Sequence, residues 1–164
     1  MSTAVSSRRT PSWVVLPRFL AAVAVVALVG GLAAGSAGQT YRALELPAFA
    51  PPSWLFGPVW TVLYVMMAVA AWLVWRRLPT GTGWSSALAL WSVQLVLNLV
   101  WTPLFFAAGL DTLALVNIVL LLGVLVATAL AFRRTSPVAT WLLVPYVAWV
   151  AFATALNAGI VVLN

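Results

Sequence analysis

Three groups of side chains in this sequence have the types and spacing to do chemistry. Gln94, Asn98, Trp101 and Phe105 recur at intervals of four, three and four, so a helix carrying them presents two amides and two aromatic rings on one face. Tyr146, Trp149, Ala153 and Asn157 repeat the arrangement, with Leu156 beside them, and Trp60, Tyr64, Met67 and Ala71 form a third stripe. Aromatic walls of this kind stack on a flat, conjugated, apolar ligand, each ring pair contributing about 0.5–1.5 kcal/mol beyond area burial. Trp60, Trp101 and Trp149 share their stripes with polar groups, and an indole set against the small Ala153 fits a cavity wall better than full packing. A purely structural account stands beside this one. Amides join membrane helices at about 0.6 kcal/mol each and up to about 1–2, an account open for Gln94 and Asn157. Aromatics near helix ends form interfacial belts, which fits Trp13, Trp54, Trp75, Trp84 and Trp141.

Composition excludes most other chemistry. The 164 residues include eight basic side chains, all arginine, two acids (Glu45 and Asp111), no histidine and no cysteine. Disulfides, thiol nucleophiles, Ser-His-Asp triads and His/Cys metal sites are therefore impossible, and no catalytic or metal-ligating residue is assigned. The net charge of +6 is scattered among apolar runs, without the basic stripe that nucleic acid needs, so no nucleic-acid partner is expected.

The elements that must position these stripes are membrane helices. The chain is 65% hydrophobic and 6% charged, with a mean hydropathy of +1.11, against about 45–50% apolar and 25% charged in soluble domains. A span needs about 20 apolar residues, and five stretches qualify: 18–37, 57–75, 84–107, 112–132 and 137–163. The expected fold is all-α, a single bundle of five transmembrane helices over 18–164 in a lipid bilayer, preceded by a disordered tail over 1–17. The first apolar run exceeds the usual h-region of about 7–15 residues, which favours a span over a cleaved signal.

Arg8, Arg9, Arg18, Arg76, Arg77, Arg133 and Arg134 fall on one side of the five spans, against Arg42 alone on the other. The positive-inside rule places the N-terminus in the cytoplasm and the C-terminus outside. The long connection over 38–56 then lies outside, stiffened by Pro47, Pro51 and Pro52, and is either a lid or a plain connector. Arg42 in this segment either holds a ligand carboxylate or pairs with Glu45 in solvent. Pro103 and Pro145 lie inside helical patterns, where kinks open space beside Trp101 and Trp149. Gly31 and Gly35 form a GxxxG, a weak dimer signal.

Three segments carry a resemblance. Pro51-Pro52-Ser53-Trp54-Leu55-Phe56-Gly57-Pro58-Val59-Trp60-Thr61-Val62-Leu63-Tyr64, then 97–106 (LNLVWTPLFF), then 145–157 (PYVAWVAFATALN) resemble, in the same order, the tryptophan-rich sensory protein family, also called the translocator protein or peripheral benzodiazepine receptor family. The resemblance covers roughly residues 19–164. It implies five membrane helices, a homodimer, and a pocket opening toward the long first loop. The ligands it implies are porphyrins and other tetrapyrroles such as protoporphyrin IX or haem, with no cofactor required, and in some members sterols or isoquinoline carboxamide and benzodiazepine drugs. By motif match Tyr41, Trp60, Asn98, Trp101, Phe106, Trp149, Ala153 and Leu156 would line the pocket; Tyr41 and Phe106 come from the resemblance alone, and Tyr64 and Tyr146 from the stripes.

The implied function is a receptor or carrier for tetrapyrroles in a bacterial inner membrane, for sensing, transport or disposal. Alternatives are light- and oxygen-dependent porphyrin breakdown, associated with bacterial relatives, and a signalling or assembly subunit regulated by such a ligand. Three departures are visible. The sterol-recognition stretch of animal members is missing, because Leu156 is followed by Asn157, Ala158 and Gly159 without Tyr or Arg. Leu46 stands where relatives often carry a polar or basic residue, and Asn117 where many carry an acid, which removes a proton relay there.

Overall fold

A computed structural model of the chain describes residues 12–35, 37–79 and 85–164. These residues fold into α1 (Ser12–Ala33), α2 (Ala37–Ala43), α3 (Phe56–Trp75), α4 (Ser86–Thr102), α5 (Asp111–Arg133) and α6 (Pro137–Leu163), with no strand among them. All but the short α2 belong to segments long and apolar enough to cross a membrane. In hydrocarbon every backbone polar group must be satisfied within its own segment, and the helix does this. Val62, Val96, Val119 and Leu130 are exposed around the outside, as lipid-facing positions are.

The five long helices close into a ring. α1 packs on α3, α3 on α6, α6 on α5, α5 on α4, and α4 returns to α1. The pairs α5–α6 and α4–α5 are the most extensive, α4–α1 the least, and α3 barely touches α4 across the ring. The core follows this pattern, centred on Met67, Ala71, Leu88, Leu121, Leu143 and Tyr146.

Local chemistry sets the helix ends. Ser85 Oγ accepts from Leu88 N and caps α4, and Ser136 Oγ accepts from Ala139 N and caps α6, with Pro137 at its first position. Gly109, at φ +62°, makes the left-handed turn into α5. The Pro103 kink takes a specific form: residues 103–107 widen into a π-helical turn, in which Ala108 N reaches Pro103 O. Pro145 stays within a continuous α6.

Two expectations are corrected. The first span begins at Ser12 rather than Arg18, so residues 12–17, expected in the tail, are helical, and it ends at Ala33. A chain in lipid has no better alternative than to continue its helix through Pro17, whose missing N–H leaves one carbonyl unmatched near the helix start. The segment 38–56, expected as a loop, is also helical in its first part, which belongs to α2. Residues 1–11 of the expected tail, and Trp84, lie outside the described residues.

The two arginine-bearing turns meet at one end of the bundle, where Arg77 Nη1 donates to Thr135 O at 2.8 Å. Arg76 lies 4.6 Å over the Trp72 ring. At the other end residues 44–52 cross over α6. Glu45 N donates to Asn164 Oδ1 and Asn164 Nδ2 to Glu45 O, each at 3.1 Å, and Phe49 meets Phe152 edge-on. Gly159 permits this seating, since a Cβ there would lie 2.5 Å from Pro47 Cγ. Gly159→Ala is expected to lower the thermal midpoint of the detergent-solubilised protein, by the equivalent of about 1–3 kcal/mol of overpacking. Gly123→Ala, with nothing within 4 Å of its added methyl, is expected to leave the midpoint unchanged or raised.

Candidate functional site

The weakly packed side of the ring holds a cavity of about 730 Å³, bounded by α1, α3 and α4 and roofed by α2. Small residues of α1 and of the turn that follows it form one wall, among them Ala24, Ala27, Gly31 and Ala34. α3 supplies Gly57, Trp60 and Tyr64, and α4 with its π turn supplies Asn98, Trp101 and Phe106. Tyr41, Gly38 and Trp54 close the top. α1 approaches α4 closely beside the cavity, where a Cβ on Gly30 would stand 3.5 Å from Thr102 Oγ1.

The π turn aims the rings. Phe105 is buried in a second apolar cluster with Tyr41, Ala114, Leu156 and Ile160, while Phe106 reaches the cavity. Trp101 stacks on Phe105 at 5.2 Å and 19°, and meets Phe106 edge-on at 5.9 Å. Trp60 lies 5.5 Å from the Tyr64 ring and 6.0 Å from that of Tyr146.

The amides of the stripes are held by partners on other helices. Tyr64 Oη donates to Asn98 Oδ1 at 2.8 Å, Asn98 Nδ2 donates to Tyr146 Oη at 3.1 Å, and Tyr146 Oη donates to Gln94 Oε1 at 2.9 Å. Trp101 Nε1 donates to Asn157 Oδ1 at 3.3 Å, and Asn157 Nδ2 donates to Asp111 O at 3.2 Å. Gln94 and Asn157 thus join helices, as the structural account of them requires.

Of the ten residues expected around a ligand, the structure brings six to this cavity: Tyr41, Trp60, Tyr64, Asn98, Trp101 and Phe106. The four on α6 are elsewhere. Tyr146 is wholly buried behind the wall, and Ala153 belongs to the main core. Leu156 packs in the second cluster. Trp149 sits against Phe56 and Phe152, at 5.8 and 5.6 Å, and its Nε1 is buried without a partner. Trp149 is thus partly buried among aromatic rings and does not line this cavity.

Arg42 lies on α2 and does not pair with Glu45; its Nε donates to Gly38 O at 2.7 Å. A Cβ on Gly38 would be 3.7 Å from Arg42 Nη2, so the guanidinium lies beside Gly38, while Arg42 itself is not among the residues that line the cavity. The α1 wall is what the stripes missed. Its small residues at 24, 27, 31 and 34 repeat at three, four and three, a signal hidden by the general abundance of Ala and Gly in that helix. Trp13, Trp54 and Trp141 are exposed near helix ends, as belt residues are.

A family model described as TspO/MBR matches residues 19–163. The translocator protein of Homo sapiens is 40% identical over 149 residues, covering 90% of this chain and 88% of that protein. The tryptophan-rich protein TspO of Chlorobaculum tepidum is 44% identical over 147 residues, 81% of this chain and 90% of that protein. The tryptophan-rich sensory protein of Cereibacter sphaeroides is 35% identical over 145 residues, 88% of each.

Tyr41 fastens the roof. Its hydroxyl donates to Pro51 O at 3.0 Å, its ring meets Phe56 edge-on at 5.4 Å, and burial pushes the phenol above its ordinary value, which keeps the donor neutral. Tyr41→Phe removes a bond with a net worth of about 0.5–1.5 kcal/mol. Hydrogen-exchange mass spectrometry should show faster exchange over residues 44–52 in that variant; equal rates would place the fastening elsewhere.

Proposed function

The chain belongs to the TspO/MBR family, and on that premise we propose that it is a membrane receptor or carrier that binds a tetrapyrrole such as protoporphyrin IX or haem between α1, α3 and α4, for sensing, transport or disposal. The observation that carries this reading is the cavity of about 730 Å³ with Trp60 and Trp101 in its walls. That volume falls within the range of about 300–1,000 Å³ typical of small-molecule sites. The lining is mainly apolar, as a conjugated macrocycle requires, and in this reading Arg42, next to the lining residue Gly38, is the candidate partner of a propionate carboxylate.

Stacking and shape must do the binding. The sequence has no histidine or cysteine for haem iron, which leaves Tyr and Met as conventional ligands. Metal-free porphyrin is therefore expected to bind as well as haem. The lining contains no carboxylate, so it supplies no strong acid–base pair for hydrolysis or transfer.

The chain is an integral membrane protein. In the proposed orientation the arginine-rich end is cytoplasmic, in a bacterial inner membrane, and the α2 roof faces outward. Pairing of two copies belongs to the same reading, with the GxxxG of Gly31 and Gly35 as its weak sequence signal.

Three tryptophans around one cavity, Trp54, Trp60 and Trp101, also favour a second reading, photo-oxidative breakdown of bound porphyrin. A defined new pigment on illumination in air would support it, whereas bleaching at the rate of free porphyrin would leave a passive binder. For binding itself, protoporphyrin should quench tryptophan fluorescence saturably. Trp60→Ala and Trp101→Ala should each weaken that binding by about 1–3 kcal/mol, and Trp149→Ala by less, because its ring is outside the cavity lining. Unchanged affinity in both cavity variants would defeat the assignment.

A further inference from the structure

The cavity's polar lining includes Tyr64 and Asn98, which are joined end to end to Tyr146 and Gln94 behind the wall. Gln94 is wholly buried and its Nε2 has no partner. In this arrangement both phenolic protons are used inside the chain: that of Tyr64 goes to Asn98 and that of Tyr146 to Gln94. Toward the cavity the Tyr64 oxygen then offers lone pairs only.

A chain of amides and hydroxyls has no intrinsic direction. An amide turned through a half circle exchanges its oxygen and nitrogen at nearly the same positions, and a hydroxyl proton rotates to suit. With both amides turned, Asn98 Nδ2 donates to Tyr64, the Tyr146 hydroxyl donates to Asn98 Oδ1, and Gln94 Nε2 donates to Tyr146. The same separations of 2.8, 3.1 and 2.9 Å serve both directions. Each direction makes the same set of bonds and leaves one atom of Gln94 unpartnered, Nε2 in one case and Oε1 in the other. They differ in what the cavity meets, because reversal frees the Tyr64 proton to donate to a ligand. No proton changes owner.

We propose that Tyr64, Asn98, Tyr146 and Gln94 form a reversible polarity switch. It accepts from a flat ligand with an N–H or O–H at its edge in one direction and donates to one with a carbonyl in the other. Gln94 and Tyr146 are positioning residues that act through Asn98. The inference rests on the cavity being the ligand site and widens its ligand class to flat aromatic molecules with a single polar edge.

Three tricyclic probes of closely similar shape test it: carbazole, which only donates, fluorenone, which only accepts, and fluorene, which does neither. Titrations of the purified protein in detergent, followed by tryptophan indole and side-chain amide resonances, should show carbazole and fluorenone each binding about three- to tenfold tighter than fluorene, the worth of one net hydrogen bond. The Gln94 amide signals should move in opposite senses with the two probes. Gln94→Met should keep the gain for fluorenone and lose that for carbazole, because without the amide only the reversed direction gives the Tyr146 proton a partner. An unchanged carbazole-to-fluorenone ratio in Gln94→Met, or no gain over fluorene in the native protein, overturns the switch. If Gln94→Met does not fold, the Gln94 signals of the native protein decide, and signals that stay still or move together overturn it. Protoporphyrin quenching that persists while these tests fail removes the switch alone; loss of all binding removes the ligand site with it.

Discussion

Inside hydrocarbon there is no water to take over a lost hydrogen bond, so a polar side chain carried into the bundle must find its partner within the protein, and amides and phenols too long to bond their own helix turn find it on another helix. Two short sets of bonds answer that constraint here. Tyr64, Asn98, Tyr146 and Gln94 connect α3, α4 and α6, and Trp101, Asn157 and the Asp111 carbonyl connect α4, α6 and the start of α5. These bonds fix where α4 stands relative to α6. They also bridge α3 and α4, which are joined again at another level where Trp91 Nε1 donates to Met67 O at 3.1 Å. The gap between them therefore persists as a cavity of defined width.

The same constraint explains why one side of the ring is dense and the other open. Association of membrane helices depends on van der Waals contact and interhelical hydrogen bonds rather than on expelling water. α5 and α6 meet along their length through Ala114, Ile118, Leu121, Leu125, Ala139, Leu143 and Val150, all buried. α1 sends Val15, Phe19, Val23 and Val26 into the core, Phe19 meeting Trp91 edge-on at 5.3 Å, but lines the cavity largely with Ala and Gly, which fill little of it. An unfilled volume forfeits dispersion contacts along its walls, and a flat occupant restores them.

Much of this was legible in the sequence because the signals are long and periodic. Apolar runs marked five spans, the arginine pairs marked their common end, and the Trp60–Tyr64 and Asn98–Trp101 spacings put those residues on shared faces that the structure turns to one cavity. The start of α1 was misplaced because Pro17 and Arg18 imitate a boundary, although the helix runs through both. The α6 stripe was a sound face with the wrong destination. Periodicity shows that Tyr146, Ala153 and Asn157 point the same way, but not which neighbour they meet. In this ring order α6 lies between α3 and α5, so its stripe became core and hydrogen-bond anchor. Phe106 escaped the stripe argument for a related reason: the π turn at Pro103 breaks the helical spacing and rotates Phe106 toward the cavity while Phe105 turns inward.

The roof shows how the two ends of the site differ in stability. Below it, Trp60, Tyr64 and Asn98 belong to continuous helices whose backbone bonds are shielded from water, so local opening there requires breaking several contacts together. Above it, residues 44–52 are held by the Tyr41–Pro51 bond, the Glu45–Asn164 pair and the Pro47–Gly159 and Phe49–Phe152 contacts. Glu45 and Asn164 are exposed, and solvent competes for their bonds. Tyr41 is buried, and its bond is shielded. The exposed Glu45–Asn164 bonds are therefore the weaker attachment of residues 44–52, and the buried Tyr41 bond is the stronger one.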